Sequence, residues 1–505
     1  MGYPVLRKMF RRGAVVAAAM VVAGSVAGCG ISSAEPDEMD RFYRQQVQWT
    51  KCGEEKLDAA GAQCAEVTVP LNYSAPRDRA ITVTISRSRA KDPAQRRGVL
   101  LANPGGPGAS GLAFALRVAE YLGGGVPDNY DLIGFDPRGV GRSTPLHCGW
   151  PVSTDMRSAG LDQVGFDKTL ALEAELSARC VATNGATQPY ITTRNTARDL
   201  DVIRAVLGEE RINYIGGSYG TYLGAVYTQM FPERVDRLVY DSAVDPDRYH
   251  VPMVQDMGAP SEAAFDVWAA WAAAKDAEYH FGTTAPAVRA TVTGLIEQAA
   301  RQPIRLGEYD LDAHLLPMIL FEGVAAAREY QDLAVNLRQI ADAAAGIPVR
   351  AQGSLEDYLK QALRPQEDEA AQTMILCGDA PAPRDPTWYW RNIEASRAAQ
   401  PIFGPLVNAP NGCTFWQPPL EPPTVVRNAA PALILQAMGD THTAYQQGVG
   451  LHRVLTGSRL VTMPDRVAHG VIPQSECARQ IVNAYLRSGV LPAADVTCQP
   501  DPLAE

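Results

Sequence analysis

The segment Gly216-Gly217-Ser218-Tyr219-Gly220 joins the short apolar run 211–215 (RINYI) to the helix-forming stretch TYLGAVYTQMF. A G-x-S-x-G sequence set between a strand and a helix reads as a nucleophile elbow. The turn is so tight that the positions two before and two after the serine must be small, and it lifts the hydroxyl above the sheet. The helix that starts there offers its positive end to developing negative charge. This one join predicts a sheet whose strands feed helices, with Ser218 as the candidate nucleophile.

The flanking sequence extends that pattern. Residues 80–88 (AITVTISRS), 98–102 (GVLLA), 130–135 (YDLIGF) and 235–240 alternate or run apolar as strands do. Residues 194–207 place Ala197, Leu200, Ile203 and Leu207 on one helical face, with Asn195 as the expected N-cap. From 246 to 424 the chain turns Ala-rich and helical, with Trp268, Trp271, Trp388 and Trp390. Strands return at 431–436 (PALILQ) and 458–463 (SRLVTM), followed by an amphipathic helix at 475–487. The expected fold class is α/β: a mostly parallel central sheet of the α/β-hydrolase type, with a large helical lid inserted before the final strands. The expected organisation is a signal peptide at 1–29, a tether at 30–40, core at 41–245, lid at 246–424 and core again at 425–505. A length of 505 residues accommodates such a core plus insertion.

Arg7, Lys8, Arg11 and Arg12 precede the apolar run 14–23, which is short for a bilayer span and suits a signal peptide. The run leads to Val26-Ala27-Gly28-Cys29, which resembles a bacterial lipobox with Cys29 as the lipidated residue. Export to the cell envelope, with the membrane engaged by the lipid anchor only, is the expected location. The remaining eight cysteines would then meet an oxidising compartment. Pairing of sequence neighbours gives Cys52–Cys64, Cys148–Cys180, Cys377–Cys413 and Cys477–Cys498, one of many permitted schemes. No Cys/His spacing suits zinc, so neither metal nor cofactor is expected. A formal charge of -10 argues against nucleic acid as a partner.

Ser218 needs a base, and the base an orienting acid, in the chain order Ser…Asp/Glu…His. Strand 431–436 leads to Asp440, and strand 458–463 leads to Ala468-His469-Gly470, where small neighbours free the imidazole to reach the elbow. Of seven histidines, His442 and His452 compete weakly with His469. His147 precedes the elbow, and His250, His280 and His314 belong to the insertion or its edge. Asp241, at the end of 235–240, is the rival acid; Asp136 is read as structural, pairing with Arg138 or Arg142. The oxyanion hole needs two N–H donors. One is Tyr219; the other comes from the loop 103–108, with Gly105 the first choice and Gly106 the second.

Taken together, Asn-Pro-Gly-Gly-Pro-Gly at 103–108, Phe-Asp-Pro-Arg-Gly-Val-Gly-Arg-Ser at 135–143, Gly-Gly-Ser-Tyr-Gly-Thr-Tyr-Leu-Gly at 216–224, Asp440 and Ala-His-Gly at 468–470 resemble the tripeptidyl aminopeptidase family. These are exported actinobacterial serine peptidases related to prolyl iminopeptidases. The resemblance covers about residues 40–498. It implies cleavage of peptide or protein substrates near a free N-terminus, with the insertion as a lid. Some relatives are cell-envelope lipoproteins. The prolyl iminopeptidase motif begins with His where this chain has Pro104, so proline specificity does not carry over. Capture of a free ammonium would suit an acidic lid residue: Asp379, at a position that is acidic in the family, or Glu322. Thr443, three residues past Asp440, would support the acid or line the site. Rival readings are an esterase, lipase or selective endopeptidase on the same residues, and an inactive peptide-binding lipoprotein.

Overall fold

A computed structural model describes residues 38–502 apart from 124, 154–155 and 364–369. The expected signal peptide, Cys29 and nearly all of the tether lie outside the described residues. Within the body Met39–Glu505, ten strands form one sheet and two more form a hairpin. In chain order the strands are β1 (Thr50–Lys51), β2 (Gln63–Pro70), β3 (Ala80–Ser88), β4 (Val99–Asn103), β5 (Asp131–Phe135), β6 (Ile212–Gly217) and β7 (Val235–Asp241). They continue as β8 (Ile304–Leu306), β9 (Tyr309–Leu311), β10 (Ala432–Ala437), β11 (Arg459–Met463) and β12 (Val496–Thr497). The sheet order is β1-β2-β3-β5-β4-β6-β7-β10-β11-β12. Pairing is antiparallel from β1 through β3 to β5 and parallel from there to β12.

The central strands are buried on both faces, which is why they read as continuous apolar runs rather than alternating ones: every residue of β4 and of β10 is buried. Leu101, Tyr214, Leu238 and Ile434 point to one core, which the helices Thr193–Val206 and Tyr219–Met230 cover with Leu200, Ile203 and Leu223. Leu100, Ile215, Val239 and Leu435 point to the other, covered by Val118 and Leu122 of Phe114–Leu122 and Val482 and Leu486 of Glu476–Ser488. Full burial of each such side chain contributes about 2 kcal/mol. Six of the parallel strands, β4–β7, β10 and β11, lie within a residue or two of the runs read from the sequence. The strands β1, β2 and β12 and the hairpin β8–β9 carry patterns too short or too mixed to read.

One cap differs from expectation. The helix beginning at Thr193 is capped by Thr192, whose hydroxyl accepts the Asn195 amide at 3.2 Å, while Asn195 Nδ2 donates to Tyr190 O. Thr192 holds the extended backbone an N-cap requires, and Asn195 is already inside the first turn.

The stretch between β7 and β10 is built mainly from helices, among them Gly258–Ala273, Ala285–Arg301, Leu316–Val324, Tyr330–Ala344 and Ala370–Asp379, and it carries the β8–β9 hairpin. Trp268 is fully buried there against Phe265. This cap recruits a segment from before the elbow: Ser177 Oγ in the helix Gln163–Asn184 donates to Gly412 O, and Ala159 N to Pro405 O. Four disulfides are present, Cys52–Cys64, Cys148–Cys180, Cys377–Cys413 and Cys477–Cys498. Among the described residues no helix is long and apolar enough to cross a membrane.

Candidate active site

Ser218 sits between β6 and the helix Tyr219–Met230 at φ 54°, ψ -129°. For a residue with a side chain this is a strained backbone, held because its surroundings fix it. Ser218 N donates to Asp241 O, and Ser218 O accepts from Thr221 N and Thr221 Oγ1. A Cβ on Gly216 would lie 2.4 Å from Gly220 O, and one on Gly220 would lie 2.5 Å from Asn103 O. The spacing of glycines in the motif thus follows from the closeness of the turn.

The Asp440 and His469 side chains meet beyond the ends of β10 and β11. His469 Nδ1 lies 3.0 Å from both Asp440 oxygens, and Nε2 makes no hydrogen bond among the described residues. Asp440 is fully buried and also accepts from His442 N, Thr443 N and Thr443 Oγ1, with Gln436 Nε2 at 3.4 Å. Burial raises the Asp440 carboxyl, but the charge and hydrogen bond of His469 outweigh it and leave the pKa lowered. For His469, burial lowers the imidazolium, and the charge and hydrogen bond of Asp440, with the charges of Asp241 and Glu322, raise it above its ordinary value overall. Asp440, His442 and His469 offer ligand-type atoms within 4.8 Å of one another. Because both Asp440 oxygens are already taken by N–H and O–H donors, the group is a hydrogen-bonded acid–imidazole pair rather than a cation site.

Ser218 and His469 line a common cavity of about 610 Å³ with Phe114, Val118, Ile472 and Pro473. A second cavity of about 340 Å³, in the cap, shares His469 and Arg328 with it and is also lined by Glu322, Glu329 and Asp332. Glu322 Oε1 lies 3.8 Å from His442 Nε2, and the His442 ring stacks on His469 with centroids 4.9 Å apart. Burial raises the Glu322 carboxyl, while the hydrogen bonding and charge of His442 and the charge of His469 bring it below its ordinary value.

The loop 103–108 wraps the elbow: a Cβ on Gly105 would lie 2.6 Å from Gly217 O and 3.0 Å from Tyr219 N. Gly105 N, however, donates to Asn103 Oδ1 at 3.0 Å. That amide is therefore committed to its own turn, whereas the Gly106 N–H has no partner among the described residues.

The other expected positions separate clearly. Thr443 supports Asp440 with both its amide and its hydroxyl rather than lining the cavity. Asp241 does not orient the imidazole; its carboxylate accepts Val471 N at 2.7 Å and Ile472 N at 3.0 Å, clamping the loop that carries His469. Burial pushes the Asp241 pKa up to about 6 against those bonds. Ser242 Oγ accepts Gly470 N in the same clamp. Asp136 fixes its turn through Ser110 Oγ, Gly111 N and Arg142 N, not through a guanidinium, because Arg138 is fully buried on Asp199 and Arg142 reaches Cys52 O. Asp379 is not in the catalytic cavity. It is buried against Thr193 and Tyr249 and borders a separate small cavity with Arg194 and Glu421, so it cannot receive a substrate ammonium beside Ser218. Glu322 is the one of the two lid acids that the structure brings to His469. Sequence reasoning missed Gln436, Ser242 and Arg328. Only Gln436, buried and polar at the end of an apolar strand, carried a local signal.

A family model described as the alpha/beta hydrolase fold matches residues 98–465. The chain is 34% identical over 486 residues to tripeptidyl aminopeptidase of Streptomyces lividans, covering 91% of this chain and 88% of the relative. It is 30% identical over 520 residues to serine protease Hip1 of Mycobacterium tuberculosis, with 96% of each covered. A Mycobacterium tuberculosis protein named carboxylesterase B is 29% identical over 486 residues, with 90% of each covered. The elbow, the glycine loop against it and the acid–imidazole pair therefore stand in a chain that belongs to the tripeptidyl aminopeptidase family of α/β-fold serine hydrolases.

Proposed function

We propose that this enzyme is a serine peptidase that releases short peptides from free N-termini by an acyl-enzyme route. The observation that carries the reading is that His469 and Arg328 line two cavities at once, one holding Ser218 and the other three carboxylates of the cap. In acylation Ser218 Oγ attacks the scissile carbonyl carbon and passes its proton to His469 Nε2, while Asp440 stabilises the imidazolium. The carbonyl oxygen becomes an oxyanion held by the N–H groups of Tyr219 and Gly106, where the start of the elbow helix adds its dipole. Collapse expels the amine, which takes the proton from His469, and leaves the acyl group on Ser218. Water then adds, His469 accepts its proton and returns it to Ser218 Oγ, and the short peptide leaves.

The substrate ammonium would sit in the cap cavity, with Glu322 as its main partner; Glu329 is already paired to Arg328 at 2.9 Å. Acetylating the N-terminus of a tripeptide fluorogenic amide should lower kcat/KM by about tenfold to a hundredfold, as loss of a charge-assisted hydrogen bond would. Glu322→Gln should lower kcat/KM on the free peptide by a similar factor, mainly through KM, and leave the acetylated peptide unaffected. Equal rates on free and acetylated peptides would favour the second reading, an esterase or endopeptidase. The relative named carboxylesterase B and the indifference of such a triad to ester or amide support that alternative.

The mature enzyme is exported and held on the membrane by a lipid on Cys29, a reading supported by the basic and apolar N-terminus and by the four disulfides. Cys29→Ala should move the enzyme from the membrane fraction to the soluble exported fraction without changing its specific activity. Retention in the membrane fraction would exclude a lipid on this residue.

A further inference from the structure

The cap helix Ala370–Asp379 is linked both to the glycine loop and to Tyr219, the two sides of the proposed oxyanion hole. At its start it packs on the glycine loop, where a Cβ on Gly108 would lie 3.0 Å from Gln372 N. At its end Asp379 reaches Tyr219 through one intermediary. Thr193 N and Thr193 Oγ1 donate to the two Asp379 oxygens at 2.7 and 2.5 Å, and Thr193 Oγ1 lies 2.5 Å from Tyr219 OH. Burial pushes the Asp379 carboxyl up to about 7 against its hydrogen bonds to Thr193 and Tyr249. In the ionised form it takes the Thr193 hydroxyl proton, and the Thr193 oxygen is left to accept from Tyr219 OH. Tyr249 OH donates to Asp379 from the other side at 3.0 Å, and the Tyr249 ring stacks on Tyr222 at 3.8 Å. The chain is fully buried at every member: Thr193, Tyr219, Tyr249 and Asp379 each expose less than a tenth of their surface. Two residues before Asp379, Cys377 ties the helix to Cys413.

The geometry points to Asp379 as a positioning residue of the reaction: through Thr193 it fixes the Tyr219 side chain, and so the Tyr219 amide that holds the oxyanion. This rests on the reading of Tyr219 N–H as an oxyanion donor. Among the described residues the bond to Thr193 is the only hydrogen bond of the Tyr219 side chain, whose buried ring otherwise rests on Tyr222 and Tyr249. Losing that bond lets the ring, and with it the first peptide of the helix, shift. A donor misplaced by a fraction of an ångström loses much of its worth, because it must meet the oxyanion and not the ground-state carbonyl. The same argument explains why a carboxylate sits fully buried with no cation on it. Its two oxygens accept three donors, Thr193 N, Thr193 Oγ1 and Tyr249 OH, from two residues beside the elbow helix.

The test separates this role from that of a substrate anchor and from mere stability. Asp379→Asn, Tyr219→Phe and the double variant are assayed on p-nitrophenyl acetate and on a free tripeptide fluorogenic amide. Rates are normalised to active sites counted with a fluorophosphonate. Each single variant should lower kcat on both substrates by about tenfold or more, with KM within about twofold. The double variant should be no slower than the worse single one, because both break the same tether. Three results would overturn the proposal: unchanged kcat in Tyr219→Phe, additive losses in the double variant, or a loss confined to KM for the free peptide. Tyr219→Phe leaves Asp379 bonded to Thr193 and Tyr249, so it decides the matter even if Asp379→Asn fails to fold. Should wild-type enzyme hydrolyse the ester but ignore the peptide, the peptidase reading fails while the tether remains testable on the ester.

Discussion

Replacing Ser218 by alanine is expected to lower turnover on the order of a millionfold and to abolish labelling by a fluorophosphonate probe. Among the described residues, the other serines near the glycine loop have their hydroxyls engaged elsewhere. Ser242 and Ser110 are committed to Gly470 and Asp136. The variant should still fold, since alanine fits wherever serine does and the Ser218 hydroxyl makes no hydrogen bond among the described residues. Mass spectrometry of the probe-treated variant is the check; a covalent adduct at any other residue would remove Ser218 from the mechanism.

The second large effect belongs to His469. His469→Ala should cost as much as loss of the serine, because the two act as a unit. His442→Ala should stay within about tenfold, far short of the 10²–10⁴-fold, roughly, that a proton-transferring group supplies. The contrast is demanding, for the two rings stack and both lie near a carboxylate. Only His469 bonds the Asp440 side chain with its ring; His442 meets it through the backbone amide. The direction of the pH profile follows as well. His469 works as a base only when neutral, and Asp440 raises its pKa above the ordinary value. Activity should therefore be full on the alkaline side and fall as pH drops through that raised value. Asp440→Asn, which removes the charge responsible, should shift the acid limb to lower pH and reduce turnover about ten-thousandfold. An acid limb unmoved in Asp440→Asn would detach it from the His469–Asp440 pair.

How much of this was legible in the sequence depends on the range of the interaction. The elbow was readable because its constraints are local: the glycines at 216 and 220 answer to atoms within a few residues or to the adjoining loop, and strand and helix periods bracket them. His469 and Asp440 were readable because each follows a strand, and strand ends gather on one edge of a parallel sheet. Arg138 was misassigned for the opposite reason. A neighbouring Asp136 competes on paper with Asp199, and only the folded chain shows which one is buried beside it. Asp241 looked like a rival acid; that its carboxylate instead binds two amides 230 residues away had no trace in the pattern. The commitment of the Gly105 amide is subtler. It turns on Asn103 folding its side chain back onto the amide two residues on, a turn habit of asparagine. Asp379 failed as an ammonium anchor because a carboxylate in a cap looks the same on paper whether it faces solvent or lies sealed against Thr193.

The crowding at the elbow also bears on how such an enzyme could change its diet. Backbone atoms hem in positions 216 and 220 at 2.4–2.5 Å from any added carbon, so a library varied there would return almost nothing active. The acidic chamber is walled by helices whose residues touch solvent on one side, and it tolerates exchange without disturbing that floor. New preferences should therefore arise by rewriting the roof over an unaltered hearth, and mutagenesis aimed at altered selectivity belongs at Glu322, Arg328 and Asp332.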